Sequence, residues 1–199
     1  MASQHRGLLL VMSGPSGVGK TSIVRGILAR LSGTFSVSAT TRPRTALELD
    51  GVDYFFISPE KFQRWIDEGR FLEYAQVFGR NWYGTPREQV ETQLAQGKIV
   101  VLDIDVQGAA HVRAAMPDAY GVFILPPSED ELLRRLRERG RDDDDAIVGR
   151  FAEARKEIAF AHESGVYDAF VVNADLHRAI DEVELLVRNR LASAPTEAT

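Results

Sequence analysis

Short apolar runs alternate with amphipathic stretches along most of this chain. Gly7 to Ser13 is dominated by apolar residues and reads as a buried strand, whereas Lys20 to about Leu31 places Ile23, Ile27, Leu28 and Leu31 on one helical face. Phe35 to Ala39 reads as the next strand. Lys98 to Asp103, Tyr120 to Leu125 and Ala169 to Asn173 read as three more, each followed by a helical pattern. Strands alternating with helices predict an α/β fold with a doubly wound parallel sheet.

From about Thr40 to Gln96 the pattern changes, with more aromatics and turn residues. Strand-like runs Tyr54 to Ile57 and Phe71 to Phe78 flank a helix begun by Ser58-Pro59-Glu60. Thr85-Pro86-Arg87-Glu88 has the spacing of a second helix start, with Thr85 as its cap. The segment therefore reads as an α+β insert between core strands. Ser128 with Glu131 repeats the capping spacing, and Asp175 opens a last helix with Leu176, Ala179, Ile180, Val183 and Val187 in one stripe. No internal repeat is visible, and the tail from about Ala192 reads as flexible.

The 199 residues suffice for one domain with a substantial core. Cysteine is absent, which excludes disulfides, thiol catalysis and thiolate metal sites and is compatible with a reducing compartment, so a cytoplasmic location is the expectation. The 24 Lys and Arg against 29 Asp and Glu argue against broad attraction to nucleic acid or anionic membrane. Apolar runs such as Leu8 to Met12 and Ile99 to Leu102 fall far short of the roughly 20 residues of a membrane span. Behind His5 and Arg6 the apolar run is also too short for a secretory core.

Gly14-Pro15-Ser16-Gly17-Val18-Gly19-Lys20-Thr21 satisfies G-x-x-x-x-G-K-[ST] between a strand and a helix, the setting that a phosphate-binding loop requires. Main-chain N–H groups of such a loop surround a phosphate, and the helix N-terminus adds positive potential. Lys20 would reach the β- and γ-phosphates of a nucleoside triphosphate and Thr21 would ligate Mg²⁺. Asp103 closes an apolar strand where a metal partner is expected, and Asp105 would face the same side if the strand continued. Metal or substrate contact is the reading for at least one of the two.

Three further clusters stand out: Ser36 to Arg44 with its two arginines, Leu72-Glu73-Tyr74-Ala75 with Trp82-Tyr83-Gly84-Thr85, and Leu102 to Gly108. With these motifs in this order, Gly7 to Arg190 closely resembles guanylate kinase, an ATP-dependent nucleoside monophosphate kinase acting on GMP. The resemblance implies a P-loop NTPase fold: a domain over 7–190 with its core in 7–39 and 97–190. A GMP-binding insert would occupy 40–96, a helical lid about 128–155, and a flexible tail 191–199. It implies that Glu73 and Thr85 read guanine with help from Ser38 and Asp105, and that Arg42, Tyr54 and Tyr83, with Arg44, hold the acceptor phosphate. Glu48, Asp103 and Gly108 join that acceptor site by the same resemblance, and Asn173 lies beside ATP. A carboxylate suits guanine because it accepts from N1–H and N2–H₂ together, whereas adenine has a lone pair at N1 and no 2-amino group.

Two loops depart from the family pattern. Arg42 meets Pro43 directly, and Leu47-Glu48 stands where Gly-Glu is usual; counting back from Gly51 and Tyr54, the second-arginine position falls on Thr45, with Arg44 one place early. The turn Val77 to Tyr83 is one residue longer than the commonest form. Of the arginines crowded at 134, 135, 137, 139 and 141 and at 150, the resemblance singles out Arg135, Arg139 and Arg150 as lid groups closing over the triphosphate. Small-molecule nucleotides are the implied partners, with the chain a monomer or weak homo-oligomer. The competing readings are a phosphopeptide-binding module of the same fold and a related phospho-sugar kinase.

Overall fold

The computed structural model describes residues 7–77, 80–138 and 143–193. Strands β1 (Leu8–Ser13), β7 (Ile99–Asp103), β8 (Tyr120–Leu125) and β9 (Ala169–Val172), with the two-residue β2 (Thr34–Phe35), form a five-stranded sheet in the order β2-β7-β1-β8-β9. Its pairings are all parallel. The central strands are nearly continuous in apolar residues because both faces are covered. On β1, Leu8, Leu10 and Met12 pack toward helices α1 (Lys20–Leu31) and α7 (Leu176–Ser193), while Leu9 and Val11 pack toward the opposite cluster. That second cluster contains residues of α3 (Arg87–Ala95), α4 (Val106–Ala115) and α6 (Asp144–Glu163). Alternate side chains of a strand leave opposite faces, so a single run of sequence feeds two helix layers.

The strand expected over Phe35 to Ala39 is in fact two. Ser36 N–H still donates to Val101 of the core sheet, at 3.1 Å, but Ser38 carbonyl accepts from Phe55 N–H at 2.9 Å. Ala39 and Thr40 form β3 of a second, four-stranded sheet, β4-β3-β6-β5. The other members are β4 (Phe55–Phe56), β5 (Phe71–Val77) and β6 (Asn81–Pro86). Periodicity marks extended chain without saying which partner it finds.

The second sheet packs on α2 (Pro59–Asp67), whose cap Ser58 accepts from Lys61 N–H at 3.2 Å. Phe62 stacks on Phe71 with ring centroids 4.5 Å apart and is fully buried against Ala39 and Trp82. Phe62→Ala is expected to lower stability by about 3–5 kcal/mol through lost burial and a cavity, measured by urea unfolding.

Helices α5 (Glu129–Glu138) and α6 pack together through Leu132, Leu136, Ile147 and Ala154, with Ser128 accepting from Glu131 N–H as the sequence predicts. Arg139, named among the lid arginines, and Phe78, at the end of the predicted strand, lie outside the described residues. Helix α7 continues to Ser193, so the expected flexible tail loses residues 191–193 to a helix; 194–199 lie outside the described residues.

Candidate active site

The loop Gly14 to Thr21 joins β1 to α1, and no described side chain caps that helix. The N–H groups of Lys20 and Thr21 precede the helical ladder and are available to an anion, whereas Ser22 N–H already donates to the Gly19 carbonyl at 3.1 Å. Gly19 takes the cap position at φ 92°, where a Cβ would also lie 2.5 Å from Asn173 Nδ2. Both the left-handed backbone and the space demand glycine. Asn173 in turn donates to the Val18 carbonyl at 2.7 Å and thereby braces the loop from behind.

Lys20 Nζ lies 2.8 Å from Asp103 Oδ1 and 3.3 Å from the Ile104 carbonyl oxygen. Parallel pairing of Met12 with Asp103 sets this carboxylate beside the loop. Two of the arginines expected in a lid contact the loop and its brace. Arg135 donates to Asn173 O at 3.0 Å and Val18 O at 3.4 Å, while Glu131 holds its Nε at 2.7 Å. Arg150 donates to Ser16 Oγ at 3.2 Å.

In the second sheet, β5 and β6 place Glu73 opposite Thr85. A bulge at Leu72 interrupts the register, so that Phe71, Leu72 and Glu73 are all buried, the first two in different hydrophobic clusters. Thr85 Oγ1 donates to Glu73 Oε1 at 2.5 Å. Thr85 is therefore not the helix cap that its spacing predicts; Pro86 holds that position without a side-chain bond, because the threonine hydroxyl is committed to Glu73. Burial pushes the Glu73 carboxyl up to about 7, with Thr85 opposing the shift and Asp105 adding to it.

Asp105 also corrects the sequence reading, since β7 ends at Asp103 and Asp105 instead caps α4, accepting from Gly108 N–H at 2.8 Å. Gly108 leaves room for the carboxylate: a Cβ there would lie 3.1 Å from Glu73 Oε2, close enough that the carboxylate would have to give way by a few tenths of an ångström. Glu73, Thr85, Asp105 and Gly108 thus converge, although three different elements carry them. Ser38 lies half-buried at the crossing between the two sheets.

Arg42 meets Glu48 through two bonds, Nη2 to Oε1 at 2.5 Å and Nη1 to Oε2 at 3.1 Å. Its guanidinium also lies 5.6 Å from the ring centroids of Tyr54 and Phe56, and Tyr54 meets Tyr83 edge-to-face at 5.7 Å. The Arg42 guanidinium holds the Glu48 carboxyl down to about 2, helped by Thr45, whose N–H and hydroxyl donate to it at 2.9 and 2.8 Å. Thr45, at the usual second-arginine place, therefore serves Glu48. Arg44 is exposed and donates to the Glu48 carbonyl at 3.1 Å.

The sequence reading passes over Glu157 on α6. Burial pushes its carboxyl up to about 7, with Asp105 and Glu153 adding to the shift and Lys20 opposing it. An acid between Ala154 and Ala161 on a buried helical stripe is the signal that could have found it.

A family model described as guanylate kinase matches residues 6–190. A guanylate kinase of Symbiobacterium thermophilum is 48% identical over 188 residues, covering 94% of this chain and 87% of that protein. One from Synechocystis is 47% identical over 183 residues, covering 92% of this chain and 94% of that protein. The crystal structure of guanylate kinase from Anaplasma phagocytophilum superposes with a TM-score of 0.74 at 32% identity, covering 96% of this chain and 89% of that one. With a phosphate-loop motif, a buried Glu–Thr pair, and relatives matching along nearly its whole length, this chain belongs to the guanylate kinase family.

Proposed function

We propose that this protein transfers the γ-phosphoryl group of ATP to GMP, giving ADP and GDP, as a nucleoside monophosphate kinase of purine nucleotide metabolism. The observation carrying this reading is the buried Glu73–Thr85 pair, whose carboxylate suits the two adjacent donors on the guanine edge. Adenine presents no such pair and would leave a buried charge unsatisfied.

The insert over 40–96 would hold the acceptor and the lid over about 128–155 would close on the donor. Lys20 and the loop N–H groups bind the β- and γ-phosphates, and Arg42, with Tyr54 and Tyr83, binds the acceptor phosphate. To do so Arg42 shares Glu48 or turns from it, so Glu48 both keeps the guanidinium in place and sets its availability. Arg135, Arg150 and Arg139 add positive charge around the moving group. Positioning and charge neutralisation suffice, because the attacking oxygen of GMP is already anionic near neutral pH. Closure would keep water from taking the phosphoryl group.

The Thr21 hydroxyl and the Asp103 carboxylate are hard oxygen donors of the kind that Mg²⁺ takes, and a site of one carboxylate completed by substrate phosphates is ordinary for that ion. When bound there, Mg²⁺ would neutralise charge on the β- and γ-oxygens. Among the described residues no helix is long and apolar enough to cross a membrane. A cytoplasmic, monomeric or weakly associating enzyme is in keeping with the cysteine-free, acidic sequence.

ADP release measured with GMP, AMP, CMP and UMP should show GMP preferred by at least about 10³-fold in kcat/KM. Equal rates with AMP would overturn the assignment. A phosphopeptide-binding module would release no ADP with any of them.

A further inference from the structure

The stretch from Pro43 to Leu47 is exposed at every position, and Leu47, its large apolar side chain, is 96% exposed. Burial does not hold this loop, which leaves hydrogen bonds to shape it. Those bonds converge on Glu48. Its N–H donates to the Thr45 carbonyl at 3.3 Å and closes a turn, while its carboxylate reaches back to accept from the Thr45 N–H at 2.9 Å and the Thr45 hydroxyl at 2.8 Å. Threonine with glutamate three residues on is the spacing of a helix capping box, used here to lock one turn with no helix after it. Arg44 adds its bond to the Glu48 carbonyl at 3.1 Å.

The two carboxylate oxygens are engaged unequally. Oε1 accepts from Arg42 Nη2 at 2.5 Å, whereas Oε2 accepts from Arg42 Nη1 at 3.1 Å and from both Thr45 donors. Thr45 thus anchors the carboxylate by the oxygen that Arg42 bonds at the longer distance. A guanidinium on a flexible stem takes its direction from the carboxylate that it meets in bidentate fashion, so whatever fixes Glu48 also aims Arg42. When Arg42 Nη1 turns to another anion, Oε2 keeps two donors and is not left bare.

We propose that Thr45 is a positioning residue for acceptor-phosphate binding: by holding Glu48 it aims the Arg42 guanidinium and allows Arg42 to be shared between Glu48 and the phosphate of GMP. The hydroxyl is the part that the threonine side chain supplies, since other residues apart from proline also offer the N–H. This role deepens, and rests on, the assignment of Arg42 to the acceptor phosphate made above.

The test is a double-mutant cycle read by kcat and by KM for both substrates, with circular dichroism melts establishing that each variant is folded. T45V, which keeps the shape and the N–H and removes the hydroxyl, should raise KM for GMP about fivefold. Its kcat should stay within about twofold and its KM for ATP should not move, because the weakened contact is made in ground and transition states alike. T45S, which restores a hydroxyl, should stay within about twofold of the wild-type KM for GMP. In an E48A background, where the hydroxyl has no carboxylate to hold, T45V should change KM for GMP less than about twofold. Wild-type KM in T45V, a loss of kcat with KM unchanged, T45S as impaired as T45V, or the same fivefold effect in the E48A background would each overturn the proposal. R42A checks the assignment beneath it and should raise KM for GMP at least about thirtyfold. An unchanged KM in R42A would refute Arg42 as the phosphate ligand, independently of the Thr45 arms.

Discussion

Replacing Glu73 with Gln should lower kcat/KM for GMP by about 10²–10³-fold while leaving the slow reaction with AMP nearly unchanged, so that base discrimination collapses. The ionised carboxylate would accept two guanine N–H groups, and hydrogen bonds to a charged group contribute about 1.5–3 kcal/mol each. Gln keeps one acceptor and turns an NH₂ toward a donor. Steady-state kinetics with both nucleotides decide the matter, and an unchanged GMP-to-AMP ratio would remove Glu73 from base reading.

The same carboxyl makes GMP binding depend on pH. In the nucleotide-free protein burial raises it from the ordinary 4.5 to about 7, so at neutral pH a large share is protonated. Binding guanine requires the ionised form and should release a proton. Affinity for GMP should therefore climb as pH rises toward about 7 and level off above it. The folded state also binds more protons than the unfolded chain between those values. Its contribution from this group is full below 4.5 and falls as pH rises through about 7. Titration calorimetry in buffers of different ionisation enthalpy reads the released proton. The phosphate of GMP titrates equally for wild type and E73Q, so their difference isolates Glu73.

Lys20→Ala should cut kcat by about 10²–10³-fold, the loss typical of removing one preorganised donor from a developing charge. Its folding should be intact, because Lys20 is a partly exposed residue in the first turn of α1 and its pair with Asp103 is not buried. A circular dichroism melt separates the two outcomes. Turnover unchanged in a folded K20A protein would exclude Lys20 from the phosphates.

The core was legible because its strands are buried on both faces. Leu8–Ser13 and Tyr120–Leu125 have no polar alternation to misread, and the helix begun at Lys20 follows directly from a loop whose glycines leave few other conformations. The errors fell where local spacing had two uses. Thr85 has cap spacing, yet its hydroxyl bonds Glu73 across the sheet. Asp105 would share the face of Asp103 only if the strand continued; it is instead a helix cap, since Gly108 N–H lies three residues on and offers the nearer partner. Phe35 to Ala39 spans two sheets, a choice made by Val101 and Phe55, both distant in sequence.

The linear order of residues alone determined the alternating layers, the phosphate loop and, through the likeness carried by its motifs, the family. Each of these depends on neighbours within one or two turns of chain, where sequence and geometry are the same information. Only the tertiary structure decided that Glu73 is buried with Thr85 and crowded by Gly108, and that Thr45 serves Glu48. Burial, charge proximity and hydrogen-bond competition arise between segments brought together by folding, and no local pattern records which distant group will arrive.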